Sequence, residues 1–417
     1  MNAENREKII CIGAGASGLF FALNCADEDH GVMLIDSNSK VGRKMYISGK
    51  GRCNITNDCD VKEFISNVVR NPRFLYSAIN RFKPADTIAF FNEHCCPLKT
   101  ERGNRVFPVS DRAADIIDCL YNECKKRKVK FCFEEKVKTV YRNTDGFMIR
   151  TDKKEYQCDR LIIATGGKSY PLTGSTGDGY AFAREFGHEI IELKSALCPL
   201  RIKEKINKEL LDLTLKNVAL TASNSHFKKT IFGDLEFLPG SITGPIALSM
   251  SSLINREQDI KLTLDLKPAL DEATLDKRLL REIDKEPNKD VRYLLNTLLP
   301  KPFIPFFLNN TATDPTVILN SFSKTMRQQL LKDLKHLPLS YAGLEDIEKG
   351  IVTSGGVDVK QIDPKTMESK LCKGLYFIGE VLDVDAFTGG FNLQIALATG
   401  YSCAKAIRDS FTKQETH

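Results

Sequence analysis

This sequence predicts an α/β fold, a parallel sheet with helices on its faces, interrupted in its second half by a large insertion. Three observations predict it. In KIICIGAGASGLFFALNCA a short apolar run gives way to glycines at 13, 15 and 18 and then to an apolar segment of helical length. Two more apolar runs, GVMLID (31–36) and DRLIIATGG (159–167), end in an acid and in a glycine turn. Near the C-terminus the strand–turn–helix pattern returns in GLYFIGEVLDVDAFTGGFNLQIALATGYSCAKAI (374–407), so both ends of the chain feed one sheet.

The glycines of the first motif have separate tasks. Gly13 lets the chain turn sharply, Gly15 lets the backbone approach a pyrophosphate, and Gly18 lets the helix pack close on the strand. The helix N-terminus then offers free N–H groups and the positive end of its dipole to the phosphates. This is the Rossmann-like unit of a dinucleotide site. Asp36 ends the second strand eighteen residues after Gly18, where its carboxylate can accept hydrogen bonds from both ribose hydroxyls of an adenosine. Its charge would repel a 2′-phosphate, which argues against NADP here.

The decapeptide SGKGRCNITN (48–57) crowds glycines, cations and amides into one place. A phosphate-cradling P-loop, a nucleic-acid patch and a turn around another anionic cofactor compete for it. The P-loop reading fails, because Lys50 is followed by Gly51 rather than by the hydroxyl residue that holds magnesium. Its position beyond Asp36 suits a chain passing from adenine toward the far end of a dinucleotide. Arg43, Lys44 and Arg52 can offset phosphate charge, and Ser48, Cys53 and Asn54 can approach the rest of the cofactor.

The run at 159–167 delivers Ala-Thr-Gly-Gly to the C-terminal end of a buried parallel strand, where ligands of open α/β sheets bind. YPLTGSTGDGYAFAREFG follows, a polar loop running into a helix from about Gly179. Lys168 and Tyr170 are candidates to face an active site. His188 and His226 lie nearest the candidate segments and read first as structural hydrogen-bonding residues.

The chain divides into a discontinuous dinucleotide-binding domain, 1–194 with 346–417, and an insertion. The alternating KNVALTASNSHFKKTIFGDLEFLP and KLTLDLKP predict an antiparallel, β-barrel-like segment over 195–270. Helical spacing over 271–345 predicts a helical segment with Leu275, Leu279, Leu280 and Ile283 on one face, and Pro300, Pro302 and Pro305 stiffen a connection. Such an insertion would cap the cofactor and carry substrate contacts.

With 417 residues the chain is long enough for two or three lobes. Its net charge of +6 is spread along the chain, whereas specific nucleic-acid binders concentrate charge, so no nucleic-acid partner is expected. Thirteen cysteines without a C-x-x-C pair exclude a dithiol redox centre and the usual zinc spacing, and predict a reducing cytoplasm and no metal site. The N-terminus is polar until Ile9 and no apolar run nears about 20 residues, so neither a signal peptide nor a membrane span is expected.

The motifs G-A-G-A-S-G, S-G-K-G-R-C-N-x-T-N, A-T-G-G, T-M-E-S-K, Y-F-x-G-E-x-L-D and T-G-G-F-N-L-Q together resemble the BaiN-like, or aminoacetone-oxidase-like, FAD flavoproteins, relatives of the glutathione-reductase-type and fumarate-reductase-type FAD proteins. The resemblance covers nearly the whole chain. It implies FAD, with Gly13, Gly15, Ala16, Ser17 and Gly18 at the pyrophosphate, Asp36 and Ser37 at the adenosine ribose, and Arg43 and Lys44 on the adenine side. It places Ser48, Gly49, Gly51, Arg52, Cys53 and Asn54 at the border of the flavin. Val137 would meet adenine through its backbone, and Thr165 and Gly166 would line the central path. Gly379 and Glu380 would meet the ribityl and phosphate region, with Asp383, Gly390, Asn392, Leu393 and Gln394 close to the isoalloxazine. Where family members carry F-T-H-x-G-x-S-G-P this chain has Phe237, Pro239, Gly240 and Thr243, so no substrate role is carried over there, and no catalytic acid or base is assigned.

A helix starting near Asn392 would aim its positive end at the N1/O2 side of a reduced flavin. The expected function is an FAD-dependent oxidoreductase acting through flavin N5 on a small-molecule substrate. NADH or NADPH would bind only transiently, because no second dinucleotide motif follows a strand. The resemblance implies two versions, a reductase of an enone or steroid-like C=C bond and an oxidase of a small amine such as aminoacetone. A flavin-bearing RNA-binding or RNA-modifying protein is the rival from another class.

Overall fold

The computed structural model describes residues 6–414, the last four by backbone alone. The chain forms two compact units, one of residues 1–195 with 347–417 and one of 196–346.

The first unit is built on a five-stranded parallel sheet, in the spatial order Leu375–Phe377, Arg160–Ile163, Glu7–Ile12, His30–Ile35, Lys130–Cys132. Its central strands are apolar in succession because helices cover both faces: Ile9, Ile10, Cys11, Leu161, Ile162 and Ile163 are all buried. The helices Ala16–Cys25 and Phe391–Gln414 pack against each other. Gly400 lets them approach, since a side chain there would meet the Ser17 carbonyl at 2.7 Å. A small sheet joins Thr56–Asn57, Arg105–Pro108 and Leu98–Glu101, and a three-stranded meander spans 137–158.

The second unit is a seven-stranded antiparallel sheet with helices, among them Pro245–Ile254, Glu272–Lys285 and Val291–Leu298. Its two edge strands, Leu337–Leu339 and Tyr341–Leu344, are separated in sequence by Ser340 alone. A sheet whose opposite edges are joined by one residue must curl back on itself, which gives the barrel-like form. The helical segment expected over 271–345 is not a body of its own. Its last strands return to the sheet, and Phe303, Phe306 and Phe307 share one core with Phe237. Leu280 departs from its expected face: Leu275, Leu279 and Ile283 recur every four residues and are buried, while Leu280 is 37% exposed.

Candidate functional site

The parallel strands place their C-terminal ends along one cleft in the first unit. It is lined by 12–17 after the first strand, 35–38 after the second and 164–166 after the fourth in chain order, with 351–352, Glu380, 392–393 and 395–396 closing the far side. This is where an open α/β sheet receives its ligand.

Three features test whether FAD fits. No side chain caps the helix Ala16–Cys25, and a Cβ added to Gly15 would meet nothing within 4 Å, so its N-terminus is open to a phosphate. Thr165 Oγ1 lies buried on the cleft without a hydrogen-bond partner, an uncompensated polar atom that a ligand would satisfy. Lys40 and Arg43 line the cleft and have no carboxylate partner among the described residues; Arg43 Nη1 donates to Asn38 Oδ1 at 2.8 Å. A long anionic dinucleotide matches all three.

Asp36 lines the cleft with most of its capacity already engaged. Its Oδ2 accepts from Ala14 N at 2.7 Å, and its Oδ1 accepts from Asn38 N at 2.8 Å and Asn38 Nδ2 at 2.9 Å. One acceptor position on Oδ2 remains for a ribose hydroxyl, rather than two. Val137 and Glu135 flank the same end, Glu135 being held by the Thr151 and Tyr156 hydroxyls at 2.7 and 2.8 Å.

Lys44 departs from its expected adenine-side place. Its Nζ donates to Glu380 and, at 2.6 Å, to Ser169 Oγ, while Glu380 Oε1 accepts from Thr353 N at 2.9 Å. The lysine therefore braces the far wall.

The cleft also takes in Gly13, Ala16, Ser17, Ser37, Ser48, Gly166, Asn392 and Leu393. Asn392 uses its side chain on the preceding loop, accepting from Ala386 N and donating to Ala386 O, both at 2.9 Å. That leaves backbone to face a ligand.

Other expected contacts lie off the cleft lining. Gly18 is a packing residue, since a Cβ would stand 2.0 Å from the Gly13 carbonyl oxygen. Arg52 turns to Glu101 and Asp111, which raise its pKa, with its Nε 2.7 Å from Asp111 Oδ1. Cys53 is fully buried, its thiol pushed up to about 12 by that burial. Asn54 Oδ1 accepts from Val106 N, and Gly49 and Gly51 form the turn below it. Asp383 holds Arg70 with two hydrogen bonds of 2.7 and 2.8 Å. Gln394 is buried, accepting from the Thr56 and Thr87 hydroxyls and donating to Phe82 O. Gly379 packs on Ser17 and Gly390 on Thr56.

His188 is structural, its Nε2 lying 2.8 Å from Ser369 Oγ in a buried site. His226 is exposed beside Glu257. Tyr170 lines a neighbouring pocket with Tyr46, Tyr121 and Phe133. Residues not anticipated on the cleft include Asn38, Lys40, Ser175, Thr176 and Val352. The S-T-G-D-G run at 175–179 carried a signal for the loop, whereas nothing in the local pattern singled out Val352.

A glycine-turn cleft at the ends of a parallel sheet defines a Rossmann-type dinucleotide-binding protein, and its family is one of FAD-dependent oxidoreductases. The chain belongs to the family described as HI0933-like protein Rossmann domain, whose model matches residues 7–406. It is 32% identical over 398 residues to the ribosomal RNA dihydrouridine synthase of Escherichia coli (strain K12), covering 95% of this chain and 96% of that protein. It is 29% identical over 408 residues to the 3-dehydro-bile acid delta(4,6)-reductase of Clostridium scindens (strain ATCC 35704 / DSM 5676 / VPI 13733 / 19), covering 96% and 98%. Its fold is shared with the solved 3-ketosteroid-delta4-(5alpha)-dehydrogenase from Rhodococcus jostii RHA1, at a TM-score of 0.53 and 12% identity over 96% of each chain. No helix among the described residues is long and apolar enough to cross a membrane.

Proposed function

We propose that the protein reduces a carbon–carbon double bond conjugated to a carbonyl, with a uracil base of ribosomal RNA as its substrate and NADH or NADPH as the electron source. The observation that carries this reading is the 32% identity over 95% of the chain to a ribosomal RNA dihydrouridine synthase. The 29% relative, a bile-acid reductase by name, acts on a different molecule with the same kind of bond. In uracil the 5,6 double bond is conjugated to the C4 carbonyl, and in a 3-keto steroid the 4,6 double bonds are conjugated to the C3 carbonyl. In both, a hydride adds to the carbon of the double bond remote from the carbonyl and a proton adds to the other carbon of that double bond.

FAD, when bound, supplies the two-electron relay between nicotinamide and substrate. The chain's own residues hold it. The open N-terminus of the first helix and Lys40 and Arg43 would take the pyrophosphate, Asp36 the adenosine ribose, and the Lys44–Glu380–Ser169 cluster keeps the far wall in place. Overall, NAD(P)H and one proton are consumed, and the double bond becomes a single bond with two new C–H bonds.

The modest charge of +6 is compatible with this substrate, because an enzyme that grips a few nucleotides needs only a few phosphate contacts. The second reading, reduction of a small enone, is favoured by the bile-acid reductase relative. The test incubates holoenzyme and NADH or NADPH with an unmodified ribosomal RNA transcript, then searches nucleosides for a 2 Da gain on uridine. A gain at a defined uridine supports the proposal. No gain with either donor, together with turnover of a 3-keto-4-ene steroid, replaces it with the small-enone reading.

A further inference from the structure

We propose that the 98–108 hairpin and the turn at 48–51 form the surface that holds the sugar-phosphate backbone of the RNA beside the glycine turn at 389–390. The inference rests on the RNA reading above and adds the place where that RNA is gripped.

One side chain ties the two features together. Asn57 Nδ2 donates to Gly103 O, in the hairpin turn, at 3.1 Å and to Gly389 O at 3.0 Å. The backbones are pressed close as well, since a Cβ on Gly390 would stand 2.2 Å from the Thr56 carbonyl oxygen. Asn57 pairs with Arg105 in register, so the hairpin tip is fixed beside the entry to the C-terminal helix, which contributes Asn392 and Leu393 to the cleft.

The turn at 48–51 is brought to the same surface through Phe107. A Cβ on Gly49 would lie 3.4 Å from Phe107 Cε1. The guanidinium carbons of Arg52 and Arg105 sit 4.1 and 5.8 Å from that ring's centroid. Lys50, Arg102 and Arg105 therefore belong to one surface.

The cations there fall into two groups. Arg52 and Lys99 are neutralised by Glu101 and Asp111. Lys50, Arg102 and Arg105 are exposed and have no carboxylate partner among the described residues; the Nε of Arg105 donates to Arg102 O, which fixes the tip. Two uncompensated cations on the hairpin, Arg102 and Arg105, with Lys50 on the neighbouring turn, suit a chain of phosphates. A protein partner would seek an aromatic anchor, but Phe107 is 4% exposed and already covered.

The experiment uses FAD-loaded protein and the ribosomal RNA transcript, with Lys50→Glu/Arg102→Glu and, separately, Arg105→Gln. RNA affinity is measured across a salt series, beside dihydrouridine formation, flavin content and NAD(P)H oxidation with an artificial acceptor. For the double variant we expect roughly tenfold or greater loss of RNA affinity at low salt. Its log–log salt slope should be shallower by about 1.4, at ~0.7 per lost contact, with flavin content and artificial-acceptor turnover unchanged. Wild-type affinity and slope in the double variant, with wild-type protein forming dihydrouridine, overturn this surface alone. Wild-type protein that neither binds nor modifies RNA overturns the RNA reading and this surface with it. Should Arg105→Gln lose its flavin through misfolding, the double variant, whose exposed side chains make no hydrogen bond or ion pair with the hairpin among the described residues, decides.

Discussion

Lys44 and Glu380, 336 positions apart in the chain, meet in a two-pronged ion pair, with the lysine Nζ 2.8 Å from Oε1 and 2.6 Å from Oε2. The pair closes the cleft from two directions, one wall following the second strand of the sheet and the other preceding the C-terminal helix. Lys44→Met leaves the carboxylate partly buried with only Ser169 and Thr353 to satisfy it. It should cost about 2 kcal/mol of stability and weaken FAD binding several-fold. Thermal unfolding and flavin titration check both, and an unchanged FAD affinity would remove the pair from the cofactor site.

Gly15 and Gly18 should respond differently to the same substitution. Gly15→Val places its side chain in open space, so the protein should stay folded while the phosphate approach is blocked. We expect a soluble, colourless protein with near-native circular dichroism. Gly18→Val drives a side chain into the Gly13 carbonyl oxygen and should fail to fold.

Thr165→Val tests the buried hydroxyl on the cleft. Replacing an unsatisfied polar atom with an isosteric methyl should leave the flavin-free protein as stable or slightly more so. FAD affinity should fall about three- to tenfold. A drop in the stability of the flavin-free protein, measured by denaturant unfolding, would mean that the hydroxyl has a partner within the protein.

The glycine turn of the first strand–helix unit was readable from sequence because glycine acts locally. A missing side chain decides turns and close approaches within a few residues, as at Gly13, Gly15 and Gly18. The polar residues of the far end were harder to place. Whether Gln394 faces a ligand or the protein depends on Thr56 and Thr87, more than 300 positions away, and whether Asp383 is free depends on Arg70. No window of sequence contains both partners. The barrel edges were hidden for another reason, as LPL and YAGL are too short to show alternation.

Burial also sets a pH dependence. The thiols of Cys53, Cys124 and Cys158 are each pushed up to about 12 by burial, whereas thiols of an unfolded chain ionise near 8.5. The folded chain therefore holds more protons above about pH 9. Its stability is complete below that pH and falls as the pH rises toward 12, by about 1.4 kcal/mol per thiol per unit. Melting temperatures from pH 8 to 11 should decline, and Cys53→Ser should soften the decline. At pH 8, iodoacetamide should label the exposed Cys95 well before Cys53.

The strands Ile190–Ala196 and Val352–Val357 lie side by side in a two-stranded sheet, and they are the points where the chain leaves for and returns from the second unit. The excursion thus begins and ends at hydrogen-bonded neighbours, and a short hairpin turn could bridge them without stretching the parent sheet. Such a junction lets an entire module be exchanged between relatives while the nucleotide-holding body keeps its architecture.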